Sequence, residues 1–155
     1  MSWWTQVNCE ILSPIEIDMD KVFGKKLKLP DSCVPPYELY KTDKKKYEEE
    51  YDRIVQKVKE AWDDYERNPD EYLPVGSEGS LLSTEYKSCG TYVYHISGSL
   101  RDRSDDHEIV KWFQNKFLKW INDNKLDSSY GVYGRVEASN GVGKLVWTYD
   151  YRQCE

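Results

Sequence analysis

His95-Ile96-Ser97 places an imidazole and a hydroxyl two positions apart, on one face if this stretch is a strand. A single histidine on a strand is usually a surface or satisfied core residue, and His107-Glu108-Ile109 does not repeat the triplet. Asp102, Asp105, Asp106, His107 and Glu108 lie close together. Carboxylates with a histidine could hold a divalent cation and support phosphodiester cleavage. Helix starts favour the same residue types, so a charged turn with a cap explains them without a metal. Arg101 and Arg103 flank this turn. With an aromatic ring to stack a base, two guanidiniums on phosphate would make a nucleotide site without turnover. The candidate nucleotide or phosphate residues are therefore His95, Arg101, Arg103 and His107.

A second cluster is purely acidic. Glu60, Asp63, Asp64, Glu66, Asp70 and Glu71 crowd one stretch, offset in part by Lys57, Lys59 and Arg67. Spaced carboxylates on a helix can imitate a phosphate backbone and occupy a basic groove; an ordinary solvated face is the plainer explanation. These six are the candidate partner-binding residues. Gly76-Ser77-Glu78-Gly79-Ser80 lacks the lysine and hydroxyl residue of a phosphate loop and precedes a strand pattern. Neither a nucleophile elbow nor a Ser-His-Asp order is present. No catalytic residue, metal or cofactor is expected.

The whole chain bounds these readings. Its 155 residues suit a single domain, 1–155. With 39% hydrophobic residues, 13 Tyr and 6 Trp it has the means to build a core. No apolar run approaches a membrane span, and no signal-peptide pattern opens the chain; a cytoplasmic location is expected. The net charge of −6 argues against direct nucleic-acid binding and suits a basic protein partner, such as one that itself binds nucleic acid. Cys9, Cys33, Cys89 and Cys154 form no C-x-x-C pair. Four reduced thiols are expected, with two disulfides left open by the even count.

The elements follow from periodicity. Trp3, Thr5, Val7, Cys9 and Ile11 alternate with Trp4, Gln6, Asn8 and Glu10 in a half-buried strand over Trp3–Leu12, ended by Pro14. A long irregular stretch follows to about Tyr40, with a short strand or turn at Ile15–Ile17. Thr42 or Asp43 caps a helix to about Arg67, with Tyr47, Tyr51, Ile54, Val55, Val58, Ala61, Trp62 and Tyr65 on one stripe expected to face the core. Lys44–Glu48, Lys45–Glu49 and Lys46–Glu50 are spaced to pair along it. Strands over Leu82–Ser88 and Thr91–Arg101 flank a Cys89-Gly90 turn. A second helix starts at Asp105 or Asp106 and ends at Asn122-Asp123-Asn124. A hairpin closes the chain: Tyr130, Val132, Gly134, Val136 and Ala138 alternate on one strand, Leu145, Trp147, Tyr149 and Tyr151 on the next, around Asn140-Gly141.

This order predicts an α+β fold, a ferredoxin-like βαββαβ sandwich with an extra C-terminal strand. Both helices would cover one face of a mostly antiparallel sheet. The other face would present aromatics such as Trp4, Tyr133 and Tyr151, and exposed aromatic patches mark binding sites.

Met1-Ser2-Trp3-Trp4-Thr5-Gln6-Val7, the stretch Leu73 to Leu81, and Ser97-Gly98-Ser99-Leu100-Arg101-Asp102 leading to Ile109-Val110-Lys111-Trp112-Phe113 resemble segments of small bacteriophage and prophage accessory proteins. The resemblance runs loosely over residues 1 to about 137. It implies a phage-encoded protein similar in kind to inhibitors of host defence, anti-CRISPR proteins among them, and assigns no functional residue. His95-Ile96-Ser97 in turn resembles one half of the motif of two-histidine phosphoesterases. The leading expectation is a non-enzymatic protein that inhibits a host protein through an acidic and aromatic surface. The alternative is a phosphodiester- or nucleotide-directed enzyme, or a nucleotide sponge, built on His95 or the Arg101–Glu108 turn.

Overall fold

The computed structural model describes residues 3–30, 32, 34–102, 104–126 and 130–150. The elements are β1 (Trp4–Ser13), α1 (Met19–Val22), α2 (Tyr37–Thr42), α3 (Lys44–Arg67), β2 (Leu81–Ser88), β3 (Thr91–Arg101), α4 (Asp106–Asp123), β4 (Tyr133–Ser139) and β5 (Lys144–Asp150). Described residues group into two compact units, drawn from Met1–Lys26 with Leu73–Glu155 and from Leu27–Tyr72.

The first unit is built on one five-stranded sheet in the order β2-β3-β1-β4-β5, antiparallel at every pairing. β1 lies at its centre, and the middle of its inward face is apolar: Val7, Cys9 and Ile11 are buried between Thr5 and Ser13, with Cys9 opposite Ile96 on β3 and Val136 on β4. Period-two alternation puts Tyr94, Ile96, Leu100, Val136 and Ala138 on the same side. α4 closes that side with Ile109, Phe113, Phe117, Trp120 and Ile121, a stripe at helical spacing. Asp105 starts the helix by accepting the Glu108 amide at 2.8 Å. Phe113 stacks on Phe23 at 5.4 Å and on Phe117 at 5.5 Å. Truncating such a ring to alanine costs about 3–5 kcal/mol. Phe117 can reach the sheet because position 134 has no side chain: a Cβ there would lie 2.5 Å from the ring.

The buried polar residues Thr5 and Ser13 have hydrogen-bond partners, whereas the Trp112 indole nitrogen is buried without one among the described residues. The Thr5 hydroxyl donates to the Ser104 carbonyl at 3.0 Å, and the Ser13 hydroxyl donates to the Ile15 carbonyl at 2.6 Å. That second bond makes Ile15–Ile17 a side-chain-stabilised turn instead of a strand. Burial pushes the Cys9 thiol well above the ordinary range, which keeps it protonated and unreactive. Cys9 and Cys89 are free thiols; Cys33 and Cys154 lie outside the described residues.

The second unit is helical. Asp43 caps α3 by accepting the Lys46 amide at 3.1 Å, and Asn68 ends it ahead of Pro69. The expectation of a core-facing stripe fails: no residue of α3 is buried. Within this unit the stripe meets only short partners. Tyr40 of α2 packs on Tyr47 at 5.3 Å, and Tyr72, after a 3-10 turn at Pro69–Glu71, packs on Tyr65 at 5.8 Å. Tyr51 and Val55 stay exposed. The expected Lys44–Glu48, Lys45–Glu49 and Lys46–Glu50 pairs are absent among the described residues, where α3 carries Arg53–Glu50 at 3.0 Å and Arg67–Asp64 at 3.9 Å. Exposed pairs gain too little to fix long side chains, and Lys44 lies over the Tyr40 ring instead.

One further expectation is corrected. The irregular stretch to Tyr40 contains α1 and the start of α2, too short to show a periodicity. The turn between β4 and β5 holds Asn140-Gly141, as expected, and runs to Gly143: the Asn140 amide donates to the Gly143 carbonyl, and its side-chain oxygen accepts the Val142 and Gly143 amides.

Candidate functional site

Segments distant in sequence meet at one corner of the sheet. The Trp3 amide donates to the Asp102 carboxylate at 2.7 Å, and the Asp102 amide returns a bond to the Trp3 carbonyl at 3.1 Å. Asp102 adopts φ +61°, a conformation open to aspartate because its short polar side chain can bond locally. The glycine-rich loop is lashed to the same place: the Ser77 amide donates to the Arg101 carbonyl, the Arg101 amide to the Glu78 carbonyl, and the Arg101 guanidinium pairs with Glu78 at 2.8 Å. Gly79, at φ +81°, lets this loop approach Ser99 and Trp4; a Cβ there would run into the Ser99 carbonyl. The loop is thus a clamp on the end of β3, not a phosphate cradle. The Ser104 hydroxyl adds a bond to the Val75 carbonyl at 3.2 Å.

The corner opens on a cleft of about 850 Å³ lined by Trp3, Trp4, Gln6, Asp105 and the turn Ser139–Val142. Trp3 is 47% exposed, Trp4 43% and Val142 99%. Rings this exposed on rigid strands are available for burial by a partner.

The face of the sheet opposite α4 is ruled by cross-strand rows. One row reads Thr84, His95, Glu10, Arg135, Thr148; the next reads Leu82, Ser97, Asn8, Glu137, Val146. Trp4 and Tyr133 lie on this face, as expected; Tyr151 lies outside the described residues. Glu137 pairs with Arg135 at 3.0 Å and with Lys144 at 3.3 Å. Hydrogen bonding to Lys144 in the first place, and also to Arg135, holds its carboxyl below the ordinary value.

The candidate nucleotide residues do not converge. His95 sits half-buried on the open face, stacked with Tyr86 at 6.2 Å. His107 is exposed in the first turn of α4, which covers the other face. Arg101 is engaged by Glu78, by Asp102 at 3.4 Å and by the Trp4 ring at 6.0 Å. Arg103 lies outside the described residues. The carboxylates of the turn are spent on backbone amides: Asp102 on Trp3, Asp105 on Glu108, Asp106 on His107. Among the described residues no group of three or more His, Cys, Asp or Glu could hold a metal ion.

The acidic candidates stay together at the end of α3 and the turn after it. Glu60, Asp63, Glu66, Asp70 and Glu71 are exposed. Asp64 differs: half-buried, its carboxylate accepts the Tyr72 hydroxyl and a bond from Asn68 Nδ2 at 3.4 Å. It anchors the helix end and is poorly placed to meet a partner.

What the sequence reading missed is the corner itself. Two adjacent tryptophans on a strand point to opposite faces, so one was expected to be exposed and the other covered. Both are exposed: Trp3 precedes β1, and its backbone is held by the Asp102 amide and carboxylate just past the last Trp4–Arg101 pair. Among the described residues no helix is long and apolar enough to cross a membrane. No protein-family model, curated protein or solved structure matches the chain.

Proposed function

We propose that this chain is a non-enzymatic binding protein that inhibits a host protein, and that the cleft at Trp3 and Trp4 is its principal contact. The observation that carries the reading is the pair of tryptophans, nearly half exposed, on the walls of a cleft whose backbone is fixed by Asp102 and the Arg101–Glu78 pair. Large rings presented on a rigid frame lose little entropy when a partner covers them, which is why they dominate interface energetics. The exposed carboxylates Glu60, Asp63, Glu66, Asp70 and Glu71, with a net charge of −6, support a basic partner, such as a nucleic-acid-binding defence protein. Action inside a bacterial cell, and phage origin, rest on the sequence resemblance. We also read the sheet as ferredoxin-like, with β5 as the added strand; the order β2-β3-β1-β4 supports this.

The test is affinity capture from bacterial lysate with the tagged protein, followed by mass spectrometry. A single host protein recovered in stoichiometric amount supports the reading. A blank, together with binding or turnover of nucleotides by the purified chain, overturns it.

A further inference from the structure

β2 is an edge strand, and among the described residues no strand pairs with its outer side. Among the described residues, no hydrogen bond reaches it except those of its pairing with β3. It runs eight residues with neither proline nor glycine, and every residue after Leu81 is exposed. Natural edges of this length are usually shortened, bulged or covered, since a row of free amides and carbonyls templates another strand. This edge is open, and Leu82 and Tyr86 stand 53% and 56% exposed along it on the sheet face away from α4.

The other side of the same edge is a groove. One cleft, of about 660 Å³, is lined by Glu16, Ile17, Asp18, Met19, Asp20 and Ser83–Glu85. A second, of about 240 Å³, is lined by Glu16, Glu85, Tyr86, Lys87 and Tyr92. They share Glu16 and Glu85, so together they follow β2 from Ser83 to Lys87, about 17 Å at strand spacing. The carboxylates are Glu16, Asp18, Asp20 and Glu85; the cations are Lys21, 3.9 Å from Asp18, and Lys87, drawn over the Tyr92 ring at 4.9 Å. The field is negative enough to act on a buried neighbour. The Tyr94 phenol is pushed up, first by burial and further by Glu85 and Glu16, although it accepts the Ile17 amide at 2.8 Å.

We infer that the outer edge of β2 takes an added strand from a partner protein, a basic extended segment in which lysines or arginines alternate with apolar residues. The acids alone would make no site; the unpaired backbone makes it, and the charge selects the occupant. In an added strand, alternate side chains fall on opposite faces. One set meets Glu16, Asp20 and Glu85; the other lies beside Leu82 and Tyr86. A second copy of this chain is disfavoured, because it would bring its own four carboxylates to the same edge. The inference rests on the protein-binding reading above but uses a surface separate from the tryptophan cleft.

The test uses the full chain and a synthetic capped octapeptide of alternating lysine and valine. Expected are amide hydrogen-exchange protection confined to β2 on peptide addition, and at least tenfold weaker binding for the Glu16→Lys, Glu85→Lys double variant. N-methylation of alternate peptide residues should abolish binding, since it removes amide donors and keeps the charge. Equal binding of the N-methylated peptide, or of a same-composition peptide with its lysines in one block, overturns the inference as mere charge attraction. β2 amides protected without peptide in a dimer overturn it in favour of self-pairing. No peptide binding in a chain that still captures a partner through Trp3 and Trp4 overturns this site and leaves the proposed function standing.

Discussion

Asp102 holds Trp3 by a closed pair of hydrogen bonds, its carboxylate accepting the Trp3 amide and its own amide donating to the Trp3 carbonyl. This pair extends the β1–β3 register one residue past Trp4–Arg101 and fixes the tryptophan that a strand ladder alone would leave to fray. Asp102→Ala removes the charge-assisted bond and the ion pair to Arg101. The expected cost is about 1–2 kcal/mol, since both are partly exposed. Urea denaturation checks the magnitude. Tryptophan anisotropy should fall in the native variant, and an unchanged value would mean that the pair does not order Trp3.

Gly134→Ala tests how α4 seats on the sheet. A Cβ at this position meets Phe117 Cζ at 2.5 Å and Cε2 at 2.6 Å, and that ring belongs to the buried core. Overpacking of this kind costs about 1–3 kcal/mol. The denaturation midpoint should drop with no change in slope. Full stability would mean that the ring has room to move.

The acids at the end of α3 should divide by role. Asp63→Lys and Glu66→Lys change exposed positions, so the thermal midpoint should hold while capture of a basic partner weakens. Asp64→Lys removes the acceptor of the Tyr72 hydroxyl and of Asn68. That variant should lower the thermal midpoint by several degrees. Equal midpoints for all three would remove the anchoring role given to Asp64.

Much of the architecture was legible because it is written locally. Alternation marked Thr5 to Ile11, helical spacing marked Ile109 to Ile121, and Asp43 and Asp105 cap as their types suggest. The stripe on α3 was legible as a helix but misleading as a core, since periodicity reports an apolar face and not the size of what covers it. α1, at four residues, is too short to carry a period. The candidate site was legible only in part. Exposure of Trp4 follows from alternation, whereas the meeting of Trp3 with Asp102, Glu78 with Arg101 and the Asn140–Gly143 turn with both tryptophans depends on register between distant strands. No local pattern encodes that. His95 and His107 were named together as candidate nucleotide residues by type alone, and they lie on β3 and at the start of α4, on opposite sides of the sheet.

Glu137 offers a pH test. Its folded-state pKa is depressed, by the bond from Lys144 and then that from Arg135. Its contribution to stability is therefore present above the ordinary glutamate value of 4.5 and is lost as pH falls through the lowered folded value. In a carboxyl-carbon NMR titration Glu137 should titrate below the ordinary glutamate value. Lys144→Met should move it upward; an unmoved midpoint would show that the Lys144 bond is not the cause.

The most direct test of the binding reading compares two baits, wild type and the Trp3→Ala, Trp4→Ala double variant, each shown to be folded by circular dichroism. The quantity measured is the amount of the same host protein retained from bacterial lysate. Loss of two anchoring rings should lower retention by more than about tenfold. Equal retention by both baits would contradict the account, because the partner would then be held somewhere other than the tryptophan cleft.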